Sequence, residues 1–192
     1  MIMERLQTML ANSLESRFKL RLRIAKKTGF SALLSNEGLS DLAEHYWDID
    51  QDEKSVETLS MLLKRTPNNT EAIFRRAIRF KMLERYNEAT ADLTKLIELD
   101  IKTAVSYRYR AECKLETKDH SGAEEDARRV LQLRTNNINA AGAYEVLRGV
   151  EEAIGNDEEA QKIQQKIDEL EILPILLDFI NEEEKLNYKI HD

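Results

Sequence analysis

The chain has 192 residues, 34% of them charged and 6% aromatic, with two prolines, six glycines and one cysteine. That balance favours all-α structure with wet outer faces over a β-rich or disordered chain, the single cysteine excludes an intrachain disulfide, and the length suits one compact domain or a short repeat array, so one unit is expected. The net charge of −7 is uneven: residues 1–35 carry seven Lys or Arg (Arg5, Arg17, Lys19, Arg21, Arg23, Lys26, Lys27) against Glu4 and Glu15, about +5, which leaves about −12 on the remainder.

Taken in order, residues 1–35 form a basic arm. Leu6, Leu10, Leu14, Phe18 and Leu22 recur every fourth residue as a helical stripe, although Arg17 to Ile24 alternates with the period of a strand. A helix is expected, because a lone strand has no sheet to join. The arm's cations predict either pairing with the acidic body or a membrane-facing surface, and the acidic body argues against nucleic acid. No apolar run approaches the roughly 18 residues of a membrane span, and the N-terminus lacks a signal-peptide core, so a soluble, cytoplasmic protein is expected.

The organising feature follows. Thr70–Asn137 consists of two consecutive units of 34 residues that align without a gap, pairing Ile73 with Tyr107, Ala77 with Ala111, Ala89 with Ala123, Leu93 with Ala127 and Leu96 with Val130. A period of 34 residues is the length of a tetratricopeptide repeat, and the chain resembles that family. The resemblance implies a right-handed superhelix of three to four antiparallel helix pairs, with an N-terminal helix and a C-terminal capping helix.

Extended backwards, the period gives a first repeat at 36–69. Leu39, Leu42, Ala43 and Tyr46 fall on the family's W-x-x-L-G-x-x-Y signature, and Leu59, Leu62 and Pro67 on its second helix and closing proline. Ser55 stands in for Ala89 and Ala123, small for small. Repeats 70–103 and 104–137 depart from the pattern in three ways. Arg76 and Arg110 replace a leucine, Lys114 replaces the aromatic of Tyr46 and Phe80, and Ile101 and Thr135 replace the closing proline. The departures put the local geometry of the turns between repeats in question.

After Asn137 the register slips by three. Tyr144, Leu147, Ala160 and Ile167 fit a degenerate fourth repeat at 141–173, with Gly155 and Asn156 in its turn and a first helix expected to begin early, near Ile138. Arg148 stands where Ala43, Ala77 and Ala111 stand, so a splayed or solvated pair is expected there. Residues 174–192 are expected to form a capping helix opened by Pro174. Ile175, Leu176, Phe179 and Ile180 make it greasy on more than one face, as a lid on the last repeat or a homodimer surface.

Catalytic and metal chemistry find no pattern here, and no cofactor is expected. Asp48, Asp50 and Asp52 alternate as a calcium loop opens, but Glu53 and Leu59 occupy the positions that need glycine and a bidentate carboxylate. His45, His120 and His191 lie far apart, His120 in an expected turn, and no phosphate loop or nucleophile elbow is present. Cys113, within a repeat helix, is expected to be a buried apolar side chain rather than a reactive thiol.

The resemblance implies instead a concave face lined by the first helix of each pair. Its ligand-facing residues are Ser40, Glu44 and Trp47 in the first repeat, Phe74, Arg75 and Ile78 in the second, and Arg108, Tyr109 and Glu112 in the third. The carboxylate clamp with which some members hold a chaperone tail does not carry over, since Ser40, Glu44, Arg75, Val105 and Tyr109 occupy its positions. A non-enzymatic module or adaptor binding a partner peptide or helix is therefore expected. Its alternatives are a dedicated client chaperone of the secretion type, similar in size and acidity, and a membrane-surface adaptor working through the arm.

Overall fold

The computed structural model describes residues 35–170 apart from 102 and 134; within them every regular element is a helix. They run α1 (Asn36–Asp48), α2 (Asp52–Arg65), α3 (Thr70–Met82), α4 (Tyr86–Glu98), α5 (Thr103–Glu116), α6 (His120–Gln132) and α7 (Asn137–Ala153), followed by α8 over 157–170. The basic arm and the segment carrying Ile175, Leu176, Phe179 and Ile180 lie outside the described residues. Composition predicted one unit. The chain divides into two, one ending at Asn68 and the other beginning at Asn69.

Start signals are local. Ser35, Asn69 and Asn136 accept the amide hydrogens of Gly38, Ala72 and Asn139 at 3.0–3.1 Å, capping α1, α3 and α7. Asp119 caps α6 in the same way through Gly122. Each such cap contributes about 1 kcal/mol. His120, expected in a turn, is the first residue of α6, because the Asp119 cap begins the helix immediately before it.

The turn inside each pair repeats a single backbone solution. Asp50, Glu84 and Lys118 have φ of 54°, 58° and 63°, spaced 34 apart, and Gly155 has 79° at a spacing of 37. Around each, two amide donors close a Schellman motif on the preceding helix. Asp50 and Gln51 donate to Trp47 and Tyr46, Glu84 and Arg85 to Lys81 and Phe80, Lys118 and Asp119 to Leu115 and Lys114, and Gly155 and Asn156 to Glu152 and Glu151. Only the fourth turn carries the glycine that this φ favours. Glu84→Gly is accordingly expected to stabilise the fold by about 1 kcal/mol, by relieving the left-handed strain of an L side chain. Urea unfolding checks this, and destabilisation would contradict it.

The spacing of 37 locates the slip of three. It is absorbed by α7, which has 17 residues where α1 and α3 have 13 and α5 has 14. An insertion of three is close to one helical turn, so the buried stripe stays on its face. The proline missing at Ile101 also has an explanation. The amide of Ile101 donates to the Leu96 carbonyl at 3.0 Å, ending α4 in a further Schellman turn that proline cannot make.

Each unit has its own core. In the first, Leu39, Leu42, Ala43 and Tyr46 of α1 are buried together with Val56, Leu59, Leu62 and Leu63 of α2. Ser55, 1% exposed, does more than stay small: its hydroxyl donates to the Ala43 carbonyl at 2.8 Å. In the second unit Ile73, Ala77 and Phe80 of α3 and Ala89, Leu93 and Leu96 of α4 are buried, and Ala111, Ala123, Ala127, Val130, Ala143, Val146 and Val150 form one cluster across α5, α6 and α7. The small residues at the crossings let the helix backbones approach, so the 34-residue spacing of alanines is a packing requirement. Ala160, Ile163 and Ile167 bury the inner stripe of α8. The expected splaying or solvation of this pair is not seen at its inner stripes, which are buried; Arg148 itself is half-exposed and paired with Glu145 and Glu152 on its own helix.

The substitutions that break the repeat pattern bring their own partners. Arg76 grips Asp92 through two hydrogen bonds of 2.8 and 2.7 Å, and 34 residues on Arg110 grips Asp126 at the same two distances. Lys114 adds a third cation contact to Asp126 at 2.8 Å, and Arg110 also donates to Thr94 of α4. The leucine and aromatic positions have been converted together into a planar, bidentate ion pair.

Candidate functional site

In the second unit, α3, α5 and α7 are the first helices of their pairs. Phe74, Ile78 and Lys81 fall on one stripe of α3, Arg108, Glu112 and Leu115 on one stripe of α5, and Asn139, Gly142, Val146 and Gly149 on one stripe of α7, following i, i+4, i+7 spacing. The opposite faces bury Ile73, Ala77 and Ala111 in the core. Burial on one side of each helix thus leaves the other stripe half-buried, except at Val146, which belongs to the core cluster.

Contacts knit the stripes together. The rings of Phe74 and Tyr109 lie 6.0 Å apart at 55°. Over Tyr109 stand the Arg108 guanidinium, 4.0 Å from the ring centroid, and the Lys81 ammonium at 5.4 Å. Glu112 binds both cations, with one oxygen on Arg108 and the other 2.6 Å from Lys81. Arg108 reaches further, donating to Asn139 Oδ1 at 3.0 Å. A Cβ on Gly142 would stand 2.5 Å from Arg108 Cδ, so the absence of a side chain there makes room for the arginine to cross α7. The Glu112 carboxylate holds Lys81 protonated: burial alone lowers its pKa, but the hydrogen bond and charge of Glu112 leave it raised.

Sequence reading placed Phe74, Arg75, Ile78, Arg108, Tyr109 and Glu112 on these helices, and the structure joins Phe74 to Tyr109 and Arg108 to Glu112. Arg75 turns to Glu71 on its own helix at 3.0 Å. Ser40, Glu44 and Trp47 belong to α1 of the other unit, the first two half-buried and Trp47 46% exposed. Lys81, Asn139 and Gly142 were missed. Their signal was faint: Lys81 sits seven residues after Phe74, and Gly142 interrupts a run of alanines.

Cys113 is fully buried, and burial pushes its thiol up to about 12, which fits an apolar core role. Among the described residues no group of His, Cys, Asp and Glu is placed to hold a metal ion. Asp48, Asp50 and Asp52 sit around the Schellman turn between α1 and α2, with Asp52 already helical. No described helix is long and apolar enough to cross a membrane.

Antiparallel helix pairs repeated at 34 residues, with the same turn each time, define a helical repeat protein. The comparisons specify which kind: the chain has the tetratricopeptide-repeat fold. The crystal structure of MamA matches with a TM-score of 0.70 and 18% identity over 88% of this chain and 95% of that one. MamA from Desulfovibrio magneticus RS-1 matches with a TM-score of 0.68 and 16% identity over 87% of this chain and 94% of that one. In sequence, RNA polymerase II-associated protein 3 of Xenopus tropicalis is 29% identical over 124 residues. That match covers 64% of this chain but only 19% of the relative. No family model matches the sequence.

Proposed function

We propose that this chain is a non-catalytic protein-interaction module, which holds an extended or helical segment of a partner protein against the stripe shared by α3, α5 and α7. The observation that carries the reading is the half-buried Phe74 and Tyr109 pair with Arg108 stacked on it. Aromatic and arginine side chains fixed by their neighbours lose little entropy on binding and dominate interface energies. The repeat fold supports the reading, as does the partial likeness to a much longer protein named for its association with RNA polymerase II. Trp47, Ser40 and Glu44 are the α1 counterparts of Lys81, Phe74 and Ile78 in the repeat, and they are proposed as ligand-facing residues of the first unit by itself.

Phe74→Ala, Tyr109→Ala, Arg75→Glu and Trp47→Ala are each expected to weaken capture of the partner, the two α3 and α5 aromatics by about 2 kcal/mol or 30-fold. Helicity by circular dichroism should stay unchanged. Undiminished capture by all four variants would sink the proposal.

A further inference from the structure

A cavity of about 370 Å³, which shares Lys81 and Glu112 with the site above, opens at the C-terminal ends of α3 and α5, against α7 and the start of α4. Its floor is apolar: buried Val146 and half-buried Leu115 line it with the bare backbone of Gly149, and exposed Met82 adds an apolar edge. A Cβ added at Gly149 would meet Leu115 Cδ2 at 2.7 Å, so the floor is closely packed and the depth of the cavity depends on that glycine.

Its rim carries three carboxylates, Glu112, Glu116 and Glu145, and two cations, Lys81 and Arg148. The cations are already engaged. Lys81 is held 2.6 Å from Glu112, and the Arg148 guanidinium lies between Glu145 at 2.6 Å and Glu152 at 2.7 Å. Neither leaves a charge for an anion. Glu116, at the exposed end of α5, has no cation partner among the described residues. Its field is felt nearby: partial burial first, and then the Glu116 and Glu84 carboxylates, push the hydroxyl of Tyr86 at the cavity wall above its ordinary range.

An apolar floor under a rim with one uncompensated carboxylate suits a side chain that is greasy along its stem and cationic at its tip. We infer that this cavity takes a lysine or arginine side chain of a partner peptide, with the methylene stem on Met82, Leu115 and Val146 and the charged head at Glu116. The inference rests on the interaction reading above and gives it a chemistry: the partner segment carries a basic residue beside the apolar one that meets Phe74 and Tyr109.

The test is selection of random 12-residue peptides displayed on phage against the intact chain, alongside Glu116→Lys and the Phe74→Ala/Tyr109→Ala double variant. Fluorescence polarisation then compares the best peptide with an analogue in which its lysine or arginine is norleucine. A recurrent basic residue is expected, whose replacement weakens binding about fivefold and whose contribution disappears in Glu116→Lys. Peptides that need Phe74 and Tyr109 but show no recurrent basic residue, or bind equally well as the norleucine analogue, would overturn the cavity assignment and leave the interaction reading intact. Failure of the wild-type chain to select any peptide would overturn both.

Discussion

Asp126→Ala is expected to cost about 3–5 kcal/mol, enough to leave the second unit largely unfolded at moderate urea. The carboxylate is 2% exposed and is the shared partner of Arg110, through two hydrogen bonds, and of Lys114. Removing it strands two cations whose side chains are only 15% and 18% exposed. In the native fold Asp126 holds the Arg110 guanidinium above its ordinary pKa against the opposing effect of burial, and once that carboxylate is gone a guanidinium still keeps its proton, so its charge stays buried without a partner carboxylate. The first repeat supplies the control. Leu42, Tyr46 and Thr58 occupy the positions of Arg110, Lys114 and Asp126, all three are buried, and the Thr58 hydroxyl donates to the Lys54 carbonyl at 2.7 Å. The triple variant Arg110→Leu/Lys114→Tyr/Asp126→Thr is therefore expected to recover most of the loss, since a well-packed apolar set replaces a buried ion pair at little net change. Urea unfolding of the two variants decides the matter; a single-variant loss below about 1 kcal/mol would show that the carboxylate is dispensable.

Leu96→Ala comes next, with an expected loss of about 2–5 kcal/mol. Leu96 is fully buried in α4, and its counterparts in the neighbouring repeats are Leu62, 1% exposed, and Val130, fully buried. The same comparison predicts that Leu96→Val costs only about 1 kcal/mol, because the fold already places valine at this point in the third repeat. Thermal or urea unfolding that ranked the two variants equally would show that the site collapses around the missing methyls.

Much of the fold was legible because the repeat states its evidence several times over. A single apolar residue at helical spacing is ambiguous, whereas Ala77 with Ala111 and Ala89 with Ala123 at one fixed interval are not, and all four are fully buried. The slip of three after Asn137 was legible for the same reason, and Gly155 marks it in the backbone. The turns were less legible. Asp50, Glu84 and Lys118 adopt a glycine-like φ without being glycine, so no residue type announces them. The site was partly legible: periodicity assigned Phe74 and Tyr109 to first helices, but pairing between helices is set by residues 35 apart in sequence. Arg76 and Arg110 looked like defects in a pattern until Asp92 and Asp126, each 16 residues on, were seen facing them.

By itself the sequence determined the helical class, the 34-residue unit and the small-residue crossings, because these depend on local periodicity and on side-chain volume. Only the tertiary structure decided how charge is neutralised: that Asp126 serves two cations, that Glu112 joins Lys81 to Arg108, and that Gly142 makes way for that arginine. The reason is physical. A charged side chain is long and flexible, so its partner is selected by distance and burial in the folded chain, and neighbours in sequence do not name it.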